Sequence, residues 1–162
     1  MTYEFKFNRR VEFSETDMAG IVHFSNYFRY MESAEHAFFR SLGLSVHTDS
    51  GESMEGWARV SAACDYFAPL RHPDIFEIRL LVAEKGGRSL TYIGEVYKEG
   101  VEQPVARARW TVVRIERAPG NTAMRSIDIP KDVASLITVA PAERLPGESG
   151  RPQPKRQPTK ES

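Results

Sequence analysis

Phe24-Ser25-Asn26-Tyr27-Phe28-Arg29-Tyr30-Met31-Glu32-Ser33-Ala34-Glu35-His36-Ala37-Phe38-Phe39-Arg40-Ser41-Leu42-Gly43 carries the longest helical pattern in the chain. Phe24, Tyr27, Phe28, Met31, Ala34, Ala37, Phe38 and Leu42 recur at spacings of three and four, which draws one apolar stripe along a helix of about five turns. Arg29, Glu32, Ser33, Glu35 and His36 fill the other directions. Gly43 is placed to close the helix in a left-handed cap. A helix with a single apolar stripe needs a surface to bury it, and the flanking sequence supplies a sheet.

Upstream, residues 3–13 alternate, with Tyr3, Phe5 and Phe7 set against Glu4, Lys6 and Asn8, which is a strand pattern. Residues 14–23 break the alternation and contain Gly20, so they read as a loop. Downstream, residues 44–58 hold Asp49, Ser50, Gly51, Glu52, Ser53 and Gly56 and read as a mobile connection. Strands are expected near 59–67, 75–84, 89–99 and 104–115, separated by Pro69 and Pro73, by Gly86-Gly87 and by Glu99-Gly100. In the last of these Ala106, Ala108, Trp110 and Val112 share one face, while Arg107, Arg109 and Thr111 share the other. Residues 131–138, after Pro130, suit a short closing helix. Short turns between successive strands dictate antiparallel pairing, so the fold class is α+β: a five-stranded antiparallel sheet with one long helix lying across it, in the order β-α-β-β-β-β.

The composition bounds the function classes. Of 162 residues, 22 are Lys or Arg and 22 are Asp or Glu, so no general field draws the protein toward nucleic acid or an anionic membrane. No apolar run approaches the ~18 residues of a membrane helix, and the first residues lack a signal-peptide block. The single cysteine, Cys64, rules out an internal disulfide and a thiolate-rich metal site, and its mid-strand position suits a small core residue. A cytoplasmic domain over residues 1–140 is expected. Residues 141–162 hold five of the ten prolines and no Ile, Val, Phe, Tyr, Trp or Met, and read as a disordered basic tail.

The chemistry narrows by elimination. His23, His36, His47 and His72 lack zinc spacing, and no Gly-x-Ser-x-Gly elbow or phosphate-binding glycine loop occurs. No aromatic residues alternate with Arg107 and Arg109 to stack bases. What remains is the junction between loop and helix. Asp17 stands in a glycine-containing loop before the helix N-terminus, whose unpaired N–H groups, around His23 to Asn26, favour negative charge. A carboxylate facing such donors suits acyl transfer, in which one group attacks or activates water and the other stabilises the oxyanion. The same residue also serves as a plain loop or helix cap, and local chemistry leaves both readings open.

The stretch Ser14-Glu15-Thr16-Asp17-Met18-Ala19-Gly20-Ile21-Val22-His23-Phe24-Ser25-Asn26-Tyr27-Phe28 resembles the signature of the 4-hydroxybenzoyl-CoA thioesterase family. The strand–helix–four-strand order resembles that family's hotdog fold, and Asp65-Tyr66-Phe67-Ala68-Pro69-Leu70 followed by Asp74 is similar to its second-strand exit. The resemblance spans roughly residues 3–118. It implies hydrolysis of acyl-coenzyme A thioesters with Asp17 as nucleophile or general base and the Phe24 backbone N–H polarising the carbonyl. Many relatives carry His or Tyr where this chain has Phe24. If a side-chain donor is needed there, His23 stands next door. The resemblance also implies substrate contacts from Tyr27, as acyl-pocket wall, and from Arg88 and Ser89 toward the coenzyme A nucleotide, with Lys85, Arg107 and Arg109 as weaker candidates. Glu32 reads as a paired structural residue or a second carboxylate. No cofactor is needed, because coenzyme A is part of the substrate.

Two other readings share the fold. A hotdog dehydratase needs a His-Phe-Pro-type motif, for which His23-Phe24-Ser25 is a poor substitute. A non-catalytic acyl-CoA-binding or scaffold protein stays open at position 24 but leaves Asp17 without a task. Hotdog relatives pair chains through their sheets, so a homodimer or homotetramer is expected, with residues 44–58 lining or gating the acyl pocket.

Overall fold

The computed structural model describes residues 2–118, 120 and 123–147. The chain runs β1 (Glu4–Arg10), α1 (Asn26–Ser41), β2 (His47–Asp49), β3 (Met54–Tyr66), β4 (Ile75–Lys85), β5 (Ser89–Lys98), β6 (Ala106–Arg117), β7 (Arg125–Ser126) and α2 (Lys131–Leu136). All strands form one antiparallel sheet in the order β1-β4-β5-β6-β3-β2, with β7 beside β6. This is the hotdog arrangement. The five expected strands are present, and β2 and β7, too short to leave a periodic signal, raise the count to seven.

Period-2 patterning sets the register. Phe76, Ile78, Leu80 and Val82 of β4, Leu90, Tyr92 and Val96 of β5, and Ala106, Ala108, Trp110 and Val112 of β6 all turn toward α1 and are buried. The helix returns Tyr27, Tyr30, Met31, Ala34, Phe38 and Phe39 to the same core. Each large apolar side chain buried there contributes about 1.5–3 kcal/mol. Gly94 lies where the helix crosses β5. A Cβ there would sit 2.4 Å from Met31 Sδ and 3.0 Å from the Trp110 ring, so the close approach requires glycine.

The helix differs from its expected face in two ways. It begins at Asn26, and Phe24, which the stripe included, is 61% exposed at the preceding turn. Glu35, placed among the polar directions, is 3% exposed. It is held in the core by Trp110 Nε1–H at 2.6 Å and Arg59 Nη2–H at 2.9 Å, both on Oε2. Gly43 closes α1 with φ +72°, and Leu44 N–H reaches back to the Phe39 carbonyl at 2.9 Å.

The segment 44–58 is only partly a connection. His47–Asp49 pair with Met54–Gly56 in a hairpin, and β3 begins at Met54 rather than near 59 because Met54–Ala58 extend the ladder with β6. Of the expected tail, residues 148–162 lie outside the described residues. Within the described part, Ala142–Arg144 form a 3-10 turn, and Arg144 pairs with Glu4 at 2.7 Å. Among the described residues, no helix is long and apolar enough to cross a membrane.

Candidate active site

The loop between β1 and α1 is built around Glu15. Its carboxylate accepts the Tyr30 hydroxyl at 2.7 Å, the Glu12 N–H at 2.8 Å and Arg9 Nη2 at 3.0 Å. Its carbonyl accepts His23 N–H at 2.9 Å and Asn26 Nδ2 at 2.8 Å. One residue thus fastens both ends of the loop to the first turns of α1. Asp17 sits in the reversal that follows: Asp17 N–H bonds the Ile21 carbonyl at 2.9 Å, Gly20 N–H bonds the Asp17 carbonyl at 2.9 Å, and Gly20 holds φ +72°. Asp17 Oδ1 accepts Ala19 N–H at 2.8 Å. Oδ2 has no hydrogen-bond partner among the described residues.

The same bonds single out one donor at the helix start. Val22 N–H goes to the Leu70 carbonyl, His23 N–H to Glu15, Asn26 N–H to His23, and Tyr27 N–H, at 3.4 Å, to Phe24. Ser25 N–H points at His23 Nδ1 at 3.4 Å. Phe24 N–H alone in this turn meets no acceptor among the described residues. An unpaired backbone donor at the positive end of a 16-residue helix is a place for an oxyanion.

Asp17 and Phe24 line one cleft of about 560 Å³, together with Ala19, Ile21, Val22, Tyr27, Tyr66, Phe67, Ala68, Pro69 and Arg71. Its walls are mostly apolar, with Asp17 and Arg71 the charged residues. Tyr27 is 3% exposed and belongs both to the core and to the wall, packed edge-on against Tyr30 and Tyr66. Burial lifts its hydroxyl to about pKa 12, so it stays neutral at working pH.

The other expected residues separate. His23 is half-buried beside Phe24, with ring centroids 4.4 Å apart, and is outside the cleft lining. Its Nδ1 lies 2.7 Å from Ser25 Oγ and 3.4 Å from Ser25 N. Glu32 is exposed and forms no ion pair among the described residues, which corrects the expectation of a paired structural role. Arg88 and Ser89 lie at the far end of the sheet. Ser89 is in register with Val113, and Val113 with Ala58, whereas Tyr66 at the cleft pairs with Ala106. Ala58 and Tyr66 stand ~26 Å apart along β3. Arg88 meanwhile holds Asp128 at 2.6 Å. Cys64 packs against the core, and burial raises its thiol to about pKa 11, as suits an inert residue. Residues Leu44–Thr48 line a separate cavity of about 150 Å³ with Phe39 and Trp57, away from Asp17.

Two cleft residues were not assigned from sequence. The Tyr66 hydroxyl donates to the Phe24 carbonyl at 3.0 Å, and Arg71 Nη1 reaches the Gly20 and Ala19 carbonyls at 3.3 and 3.5 Å. Both follow from a contact between the end of β3 and the Asp17 loop that no local pattern announces.

Residues 11–137 match the family model described as the Thioesterase-like superfamily. A solved structure of a hypothetical protein from Aquifex aeolicus is 33% identical and superposes with a TM-score of 0.68, covering 83% of this chain and 99% of that one. The 4-hydroxybenzoyl-CoA thioesterase of Pseudomonas sp. (strain CBS-3) is 27% identical over 135 residues, 80% of this chain and 94% of that protein. A gentisyl-coenzyme A thioesterase structure is 28% identical with a TM-score of 0.67, covering 82% of this chain and 99% of that one. The chain belongs to the thioesterase-like superfamily, and on this hotdog scaffold it is a thioester hydrolase.

Proposed function

We propose that the protein hydrolyses an acyl- or aroyl-coenzyme A thioester to the free acid and coenzyme A, with Asp17 as the reacting carboxylate and the Phe24 N–H as the oxyanion donor. The observation that carries this reading is the pairing, within one cleft, of a carboxylate with a free oxygen and the one unpartnered N–H of the helix start. Relatives named for 4-hydroxybenzoyl-CoA and gentisyl-coenzyme A support the substrate class.

The chemistry asks little more of the site. The carbonyl oxygen accepts from Phe24 N–H, and Asp17 Oδ2 either attacks the carbonyl carbon or takes a proton from a water that does. In the first route the tetrahedral adduct expels coenzyme A thiolate and leaves a mixed anhydride, which water cleaves to return the carboxylate. In the second the water adds directly and the same thiolate leaves. A thiol of pKa about 8.5 departs without a strong acid behind it. An oxyanion donor is worth roughly 2.7–4 kcal/mol in the transition state. The walls, Ile21, Val22, Tyr27, Tyr66 and Phe67, suit an aryl or short aliphatic acyl group.

A second chain completes the reading. Beyond the short hairpin with β2, residues 57–66 of β3 have no strand on their outer side among the described residues, and Val60 is 61% exposed there. An open edge of this length is a template for another strand. Antiparallel pairing of two β3 edges carries the partner subunit's Arg88 toward this chain's cleft, which gives Arg88 and Ser89 a route to the coenzyme A phosphates. The test is thiol release across aryl-, short- and long-chain acyl-CoAs. Turnover of one class supports the reading; acyl-CoA binding with no thiol released instead supports a non-catalytic binder.

A further inference from the structure

Among the described residues Arg71 is the one cation lining the Asp17 cleft. Its guanidinium makes, among the described residues, two long bonds to the Gly20 and Ala19 carbonyls, both through Nη1. It forms no ion pair with a carboxylate among the described residues, whereas Arg9, Arg59, Arg88, Arg107 and Arg109 each hold one. The nearest acid in sequence, Asp74, is engaged elsewhere: its Oδ2 takes Arg71 N–H at 2.9 Å and Lys98 Nζ at 2.8 Å. Burial would raise the Asp74 carboxyl, but these two donors and the positive charges of Lys98 and Arg71 outweigh it and hold it below its ordinary value. The backbone of Arg71 is therefore pinned, while its Nε and Nη2 have no hydrogen-bond partner among the described residues and stand beside a cleft whose other charged residue is Asp17. A fork of free guanidinium donors matches a carboxylate or phosphate oxygen pair.

We propose that Arg71 is the anion contact of this cleft and sets specificity by binding a negatively charged group of the thioester substrate. The proposal rests on the hydrolase reading above and adds the charge of the substrate to it. The anion has two sources, a carboxylate on the acyl group or a phosphate of coenzyme A, and both present the same oxygens to Arg71.

The experiment is a two-by-two set of thioesters: an acyl chain ending in carboxylate or in methyl, carried on coenzyme A or on pantetheine. Wild type, Arg71→Gln and Arg71→Lys are compared by kcat/KM, and binding of the matching non-hydrolysable thioethers is measured by calorimetry. If the acyl carboxylate is the ligand, Arg71→Gln lowers the preference for the carboxylate chain over the methyl chain about 10- to 100-fold on either carrier. If phosphate is the ligand, the preference for coenzyme A over pantetheine falls by that factor instead. Arg71→Lys restores part of the lost preference, because the charge returns without the fork. Equal losses on all four compounds overturn the proposal and make Arg71 a clamp on the loop. If wild type turns over none of them, the hydrolase reading fails, and the thioether affinities still decide the anion contact.

Discussion

The Tyr66 hydroxyl bonds the Phe24 carbonyl at 3.0 Å, tying the end of β3 to the residue whose N–H is the proposed oxyanion donor. The Phe24 carbonyl belongs to the 24–25 peptide plane and its N–H to the 23–24 plane. This bond from a side chain 42 positions away therefore supports the proposed oxyanion donor indirectly, by anchoring the backbone on the far side of the Phe24 Cα. Tyr66→Phe keeps the ring against Tyr27 and removes the hydroxyl, with its bond to Phe24 and its contact with the Cys64 thiol. A 2- to 10-fold fall in kcat, about the worth of one hydrogen bond, is expected with a smaller change in KM. Steady-state thiol release measures it, and an unchanged kcat means the bond orients nothing.

Glu15 holds the loop from both ends. Replacing it by Ala leaves the Tyr30 hydroxyl and Arg9 without their acceptor, in a half-buried setting. A loss of about 2–4 kcal/mol in stability is expected, with Glu15→Gln losing less because an amide oxygen still accepts from Tyr30. Urea unfolding distinguishes the variants.

Glu35 makes stability depend on pH. Burial raises its carboxyl above the ordinary 4.5, although Trp110 and Arg59 partly offset the rise. The folded state therefore binds this proton more tightly than the unfolded chain. The contribution is fully present below 4.5 and is lost as pH rises through the raised folded value. Glu35→Gln, which has no proton to lose, should gain on wild type in relative stability as pH rises from 4 toward neutrality. Denaturant unfolding at a series of pH values reads the slope, and parallel curves for the two proteins contradict it.

Much of this was legible in the sequence because it was periodic. The alternation in β4 to β6, the helix stripe and the glycine at 43 are local signals, and each fixed an element to within a few residues. Glu35 was misread because a helical pattern assigns charge outward, while its partners Trp110 and Arg59 come from distant strands. Phe24 was misread for the opposite reason. It continues the apolar spacing into a turn where the chain is not yet helical. Asp17 is proposed from motif and position, whereas Tyr66 and Arg71 join its cleft only through the packing of the end of β3 against the loop.

The proposed dimer rests on the edge of β3, which is open among the described residues beyond its hairpin with β2. Sedimentation at micromolar concentration should give an even multiple of the chain mass, and Val60→Asp, which brings two like charges together across a twofold strand pair, should shift it toward the single chain. A wild-type monomer removes the dimer from the account, and with it any role for Arg88 at the cleft.

Thiol release by wild type and Asp17→Asn, run side by side on the best acyl-CoA, tests the central claim most directly. The amide preserves the shape of Asp17 and its bond from Ala19 N–H while removing the nucleophilic or basic oxygen. A fall in kcat of ~100-fold or more is expected, with substrate binding retained. An Asp17→Asn protein that turns over at the wild-type rate would contradict it.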